Sequence, residues 1–185
     1  MKKEFLEWVK SFIIALVVVF AFKMFFGTTV VYSTSMYPTL VEKDVLLLQK
    51  TQQVERGDIV SFKSKLTLTS DDIRSLNFVQ RFFVNEKTPK TLIKRVIGLP
   101  GDSIEVKDGI VKINGEIATE PYVSSENVGE VYIKAIPEGE YFMMGDNRAV
   151  SLDSRSEQVG LIAEKDLVGK VLVRLWPLSK LGSVK

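Results

Sequence analysis

The chain has 185 residues, 45% of them hydrophobic, with 25 Lys+Arg against 23 Asp+Glu and a net charge of +2. That length suits one domain plus an anchor, and so even a charge balance argues against a nucleic-acid partner, which draws concentrated basic charge. It contains no Cys and no His, which removes disulfides, thiolate nucleophiles, the commonest zinc ligands and the usual general base. Acid–base work then falls to Lys, Asp, Glu or Tyr, and neither a metal nor a cofactor is expected.

The first element in the chain is apolar. Between Ser11 and Tyr32 the only charge is Lys23. As a helix, ~20 residues at ~1.5 Å each cross the ~30 Å hydrocarbon layer. The expected organisation is a short cytoplasmic tail over 1–10, a transmembrane anchor over 11–30 and an extracytoplasmic domain over 31–185. Lys23 lies off-centre and can snorkel, and Trp8 suits the near interface. Lys2, Lys3 and Lys10 flank the short side, which favours an N-terminus inside the cell and an exported domain. A cleaved signal peptide is the alternative, but the large Phe25 makes a poor small-residue cleavage pattern.

The rest reads as mainly β. An apolar run covers Asp44 to Leu48, and turn chemistry at Arg56-Gly57-Asp58 leads into Ile59-Val60-Ser61-Phe62. Residues 93 to 97 alternate apolar and charged before Gly98-Leu99-Pro100-Gly101-Asp102 breaks the strand. Strands at 104–107 and 110–113 flank Asp108-Gly109, and Asn114-Gly115 turns the chain again; both dipeptides are strong tight-turn signals. Tyr141 to Met144 is a candidate buried strand, and Val168 to Trp176 a last one stopped by Pro177. Residues 64–91 are longer than an ordinary loop. Within them Ser70-Asp71-Asp72 would cap a helix carrying Ile73, Leu76, Val79, Phe82 and Phe83 on one face. That face would pack on the β-core; the other reading lays it on the membrane near the active site.

Two residues stand out for chemistry. Ser35 follows the apolar segment within Ser33-Thr34-Ser35-Met36-Tyr37-Pro38-Thr39-Leu40, where Pro38 restrains itself and Tyr37. A Ser hydroxyl is a poor nucleophile until a base takes its proton. Lys94 is the candidate base, in Leu92-Ile93-Lys94-Arg95-Val96-Ile97. Neighbours on a strand point to opposite faces, so Lys94 and Arg95 have different environments. If Lys94 faces inward, burial lowers its pKa by up to ~3–5 units and supplies a neutral amine near pH 8; if the strand is exposed, both charges are simply solvated. Arg95 cannot serve as a base, because its guanidinium does not deprotonate in proteins.

Four segments in order resemble bacterial type I signal peptidases: Ser35 to Leu40, Arg56 to Val60, Lys94 to Asp102 and Gly145 to Arg155. With the anchor, the similarity covers nearly the whole chain, and the single short-tailed anchor is similar to the Gram-positive form. The resemblance implies a membrane-bound Ser/Lys dyad peptidase in which Ser35 is the nucleophile and Lys94 the general base. It implies that Ser33 joins the Ser35 N–H in the oxyanion hole, that Ser151 orients the lysine amine, and that Met36 borders the substrate pocket. Asp153 and Arg155 match a structural ion pair, while Arg95, Asp146 and Arg148 are assigned to structural support of the Lys94 strand. Ala149 and Val150 stand where many relatives are more polar.

The implied reaction removes signal peptides from membrane-tethered precursors after small residues of the Ala-X-Ala type, on the outer face of the plasma membrane. Reach agrees with that: Thr28 and Ser35 are seven residues apart, at most ~25 Å of extended chain, so the site sits close to the bilayer. A self-cleaving Ser/Lys repressor of the LexA type would need a DNA-binding N-terminus where this chain has its apolar segment. A membrane-tethered β-rich binding module without catalysis would not need Ser33, Ser35, Lys94 and Ser151 in their motif contexts.

Overall fold

A computed structural model describes residues 2–76, 78–126 and 128–184. In chain order the elements are α1 (Lys2–Phe25), β1 (Phe26–Val30), β2 (Val45–Gln49), β3 (Ile59–Thr67), α2 (Ser70–Ser75), α3 (Phe78–Arg81), β4 (Pro89–Gly98), β5 (Ile104–Lys107), β6 (Ile110–Ile113), β7 (Glu116–Ile117), β8 (Val131–Ile133), β9 (Glu140–Met144), β10 (Ile162–Ala163), β11 (Leu167–Trp176) and β12 (Gly182–Ser183). The fold is mainly β with one N-terminal apolar helix, as the sequence leads one to expect.

The boundaries of the apolar segment differ from expectation. α1 begins at Lys2, inside the expected tail, and ends at Phe25, while 26–30 are strand rather than anchor. Gly27 and the β-branched run Thr28-Thr29-Val30-Val31 explain the switch, since such residues favour extended chain over helix. The helix end is fastened to the domain by Lys50. Its N–H donates to Phe25 O at 2.8 Å and its ammonium to Lys23 O at 2.6 Å, satisfying carbonyls that a helix end leaves open. Within α1 the 22 residues Glu4–Phe25 are long and apolar enough to span a bilayer, and they bury none of that surface against the domain.

The larger sheet runs β1-β2-β11-β3-β4-β9-β10, with β12 pairing on β11; the smaller runs β7-β6-β5-β8. All the pairings are antiparallel. One apolar cluster joins Val31, Met36, Leu40, Leu46 and Ile59, and another joins Val60, Phe62, Val96 and Met143. Ile59 and Val60 are neighbours on β3, so the large sheet is buried on both faces. A third cluster, with Ile97, Ile104, Val106 and Phe142, joins the two sheets. The β5–β6 hairpin has its expected ends, and Asp108-Gly109 (φ 49° and 77°) and Asn114-Gly115 (φ 54° and 84°) take the left-handed conformations that these turns require.

The 64–91 segment does not form the expected core-packed helix. β3 and β4 extend into it as a hairpin, and its tip holds the two short helices α2 and α3. Thr69, rather than Ser70, caps α2 in a capping box with Asp72, and α2 buries no residue. Phe82 and Phe83, expected on a buried face, are 73% and 82% exposed.

Candidate active site

The nucleophile candidate sits on a turn held from both sides. β1 continues past its end through Val31 N–H to Asp44 O (3.0 Å) and Lys43 N–H to Val31 O (2.8 Å). The chain then turns through Tyr37 N–H to Thr34 O and Leu40 N–H to Met36 O, with Met36 and Leu40 sunk into the core. From across the fold, Asn147 N–H donates to Ser35 O at 3.0 Å and its side-chain amide to Thr34 O at 3.2 Å. A hydroxyl between two buried anchors and a second loop has little freedom.

Lys94 reaches this turn from the central strand β4. Its ammonium nitrogen lies 2.8 Å from Ser35 Oγ and 3.1 Å from Ile93 O, and the residue is 2% exposed. Burial pulls its pKa down from 10.5 to about 8, against the attraction of the Asp153 and Asp146 carboxylates, while Arg155 adds to the lowering. Inward burial, one of the two readings open from sequence, is the one found. Lys94 and Arg95 are both buried, on opposite sides of the strand.

Arg95 forms a bidentate pair with Asp146, Nε to Oδ1 at 2.9 Å and Nη2 to Oδ2 at 2.7 Å, with both side chains nearly sealed from solvent. Its third donor reaches Gly57 O at 2.8 Å, and its guanidinium lies 4.0 Å from the centre of the Tyr122 ring. Thr39 Oγ1 also donates to Asp146 Oδ2. The strand that carries Lys94 is thereby clamped to the loop after β9 and to the turn after Ser35.

That loop, 145–155, is the site's back wall. Asp153 accepts from Arg155 Nε and Nη2, both at 2.9 Å, and from Gly145 N–H at 3.0 Å. Burial alone would raise the Asp153 pKa, but the Arg155 guanidinium, the Ser151 hydroxyl and the Gly145 N–H together outweigh it and hold the carboxyl below its usual range. Arg155 further binds the carbonyls of Arg148 and Val128. The Arg148 guanidinium grips Glu120 (2.8 and 2.6 Å) and donates from Nε to Gly145 O (2.9 Å). At Gly145 a methyl group would collide with Ser151 Oγ and the Ser35 carbonyl, so only glycine lets this loop approach the nucleophile turn so closely.

The two remaining hydroxyls differ. Ser33 Oγ is 3.1 Å from Ser35 Oγ, on the solvent side of the turn. Among the described residues, the Ser35 N–H has no backbone acceptor. Together they leave two donors beside the nucleophile, where a developing oxyanion could be received. Ser151 Oγ is buried beside Asp153, where its hydroxyl helps to hold that carboxyl ionised; no hydrogen bond joins it to Lys94 among the described residues.

A cleft of about 330 Å³ opens at the Ser35–Lys94 contact. One side is Thr29 to Tyr32, Ser33 and Met36; the other is Ile93 and Leu92 of β4 with Leu68, Leu76 and Val84 of the hairpin tip. Met36 both borders the cleft and packs in the core. Sequence reasoning missed Glu120, Tyr122, Thr39 and Asn147. These act through partners tens of residues away; Thr39 and Asn147 lie in segments singled out in the sequence, but nothing there shows what they touch. Among the described residues no group of three Asp or Glu converges in a way that could hold a metal ion.

The family described as "Signal peptidase, peptidase S26" matches residues 5–176. Signal peptidase I of Bacillus licheniformis is 34% identical over 97% of this chain and 93% of its own length. Signal peptidase IB of Staphylococcus aureus strain Mu50 is 34% identical over 97% of this chain and 94% of its own. A crystal structure of a signal peptidase I from Enterococcus faecalis V583 aligns at 27% identity with a TM-score of 0.46, covering 64% of this chain and 96% of that one. The chain belongs to the signal peptidase family, peptidase S26.

Proposed function

We propose that the chain is a membrane-anchored serine endopeptidase that removes signal peptides from exported precursors, with Ser35 as nucleophile and Lys94 as general base. The observation that carries this reading is the 2.8 Å contact between a buried lysine nitrogen and a serine hydroxyl at the mouth of a cleft. Burial supplies what the chemistry needs, a fraction of neutral amine at physiological pH.

Ser35 Oγ attacks the scissile carbonyl as Lys94 Nζ takes its proton. The oxyanion is received by the Ser35 N–H and Ser33 Oγ. Lys94 returns the proton to the leaving amine, which departs and leaves an acyl-enzyme. Lys94 then deprotonates water, whose attack on the ester frees the new carboxyl terminus and Ser35. Arg95–Asp146 and Asp153–Arg155 hold the strand and loop that position these groups. Ser151 Oγ, buried beside Asp153 in the loop that backs the site, is assigned to orienting the amine once substrate is bound.

α1 serves as the anchor, with the N-terminus inside the cell and the β-rich domain outside. The precursor lies extended in the cleft and pairs with a strand edge, its small side chains fitting the apolar floor near Met36. The test is cleavage of a precursor with an Ala-X-Ala site by detergent-solubilised wild type, Ser35→Ala and Lys94→Ala. Cutting after the second Ala by the wild type alone, with both variants folded, supports the proposal. A well-folded wild type that cuts no such precursor, in detergent or lipid, sinks it.

A further inference from the structure

We propose that the tip of the β3–β4 hairpin is a second membrane contact, in which Phe78, Phe82 and Phe83 enter the bilayer interface beside the anchor. The inference rests on the proposed anchoring by α1 and adds a surface to it. The three side chains are 75%, 73% and 82% exposed, at the end of a hairpin whose helices bury little against the domain. Phe78 and Phe82 meet edge to face at 4.9 Å, so they present one apolar surface rather than scattered rings.

Strand register says which occupant this surface meets. A continuous row of partners crosses the large sheet from Phe26 through Gln49, Lys170 and Val60 to Lys94. On β1 and β2 the chain beyond that row is Phe25 and Lys50, where the anchor is fastened. On β3 and β4 the same side of the row holds Ser61 to Thr67 and Ile93 back to Pro89. The hairpin therefore overhangs the sheet on the side where the anchor enters. Its tip also curls back: Leu76 and Val84 form one wall of the cleft whose other wall is Thr29 to Tyr32. Thr29 stands only four residues past Phe25, roughly 13 Å of extended chain. The exposed aromatic tip thus lies on the anchor side of the sheet, across the cleft from the chain that leaves the end of α1.

The tip's polar groups suit a lipid interface. Arg81, between Phe78 and Phe82, turns its guanidinium back onto the carbonyls of Leu76 and Arg74, satisfying backbone that would otherwise be carried unpaired into lipid. Asp71, Asp72 and Glu86 accompany Arg74, Arg81, Lys87 and Lys90, so the contact is apolar and needs no anionic headgroup. The same hairpin walls the cleft. Seating its tip would fix the height of the cleft above the bilayer, where a tethered precursor presents its scissile bond.

Because the chain lacks Cys, single cysteines can be labelled cleanly with an environment-sensitive fluorophore. The full chain is placed in phosphatidylcholine vesicles containing a nitroxide-bearing lipid, with the probe at Gln80→Cys, Leu16→Cys or Glu116→Cys. Quenching at positions 80 and 16 but not at 116 is expected. In a Phe78→Ser/Phe82→Ser/Phe83→Ser background, quenching at 80 should fall to the level at 116. Quenching at 16, and hydrolysis of a short soluble peptide in detergent, should stay unchanged. Position 16 quenched with 80 unquenched overturns the inference and leaves the anchor standing. That includes a blue-shifted but unquenched probe at 80, which would mean cover by a second copy. Persistent quenching at 80 in the triple variant also overturns it. An unquenched position 16 contradicts the anchor reading and the inference with it.

Discussion

Replacing Lys94 by methionine should stabilise the protein near neutral pH while abolishing its chemistry. Burial moves the Lys94 pKa from 10.5 to about 8, which at about 1.36 kcal/mol per unit is a penalty of roughly 3 kcal/mol when the residue is protonated. The penalty is fully present below pH 8. Between 8 and 10.5 the unfolded chain holds more protons than the folded one, so wild-type stability climbs with pH, and above 10.5 the penalty is gone. Methionine carries no such penalty but loses the bonds to Ser35 Oγ and Ile93 O, about 1 kcal/mol each. The variant should therefore gain roughly 1–2 kcal/mol near pH ~6.5 and lose a similar amount near pH ~10.5. At ~2–4 °C per kcal/mol, the neutral-pH gain is several degrees in Tm. Denaturation of both proteins in detergent across this range measures it. A difference in stability that does not change with pH would refute the reasoning, because the hydrogen-bond loss is constant and only the buried charge titrates.

The remaining expectations probe the surrounding framework. Asp146→Asn strands the Arg95 guanidinium, which is nearly sealed from solvent; a loss of ~3–5 kcal/mol is expected in urea denaturation, as for other broken buried pairs. Ser33→Ala removes the proposed oxyanion donor and should lower kcat by ~10²–10³ with little change in KM, whereas Ser33→Thr should retain much of the rate. Ser151→Ala removes a buried hydroxyl beside the Asp153 carboxylate, so a small loss of stability, on the order of 1 kcal/mol, is expected together with a fall in kcat; a loss of stability with kcat unchanged would make its role structural.

Local signals in the sequence located the strands that carry their own chemistry. The β5–β6 hairpin could be read because Asp-Gly and Asn-Gly fix turns from within, and β11 because its apolar run stops at Pro177. β7, β10 and β12 are two residues each and exist only through their partners, so no periodicity announces them. The two catalytic candidates stood out by motif, but the burial of Lys94 did not. An alternating strand reads as half-exposed, and only tertiary packing covers both faces of β4. Arg148 pairs with Glu120, 28 residues upstream, a distance over which spacing carries no information. The apolar spacing of Ile73, Leu76, Phe82 and Phe83 fits a core-facing or a membrane-facing stripe in sequence; they lie at the tip of a hairpin, where α2 buries no residue and Phe82 and Phe83 are exposed.

The central claim, that a buried neutral Lys94 activates Ser35, is tested most directly by the pH dependence of single-turnover acylation on a precursor. With the amine at about 8, the rate should rise about tenfold from pH ~7 to ~9 and level off. A rise of about a hundredfold over that interval, still climbing past pH ~10 with the fold intact, would report an ordinary exposed lysine and contradict the account.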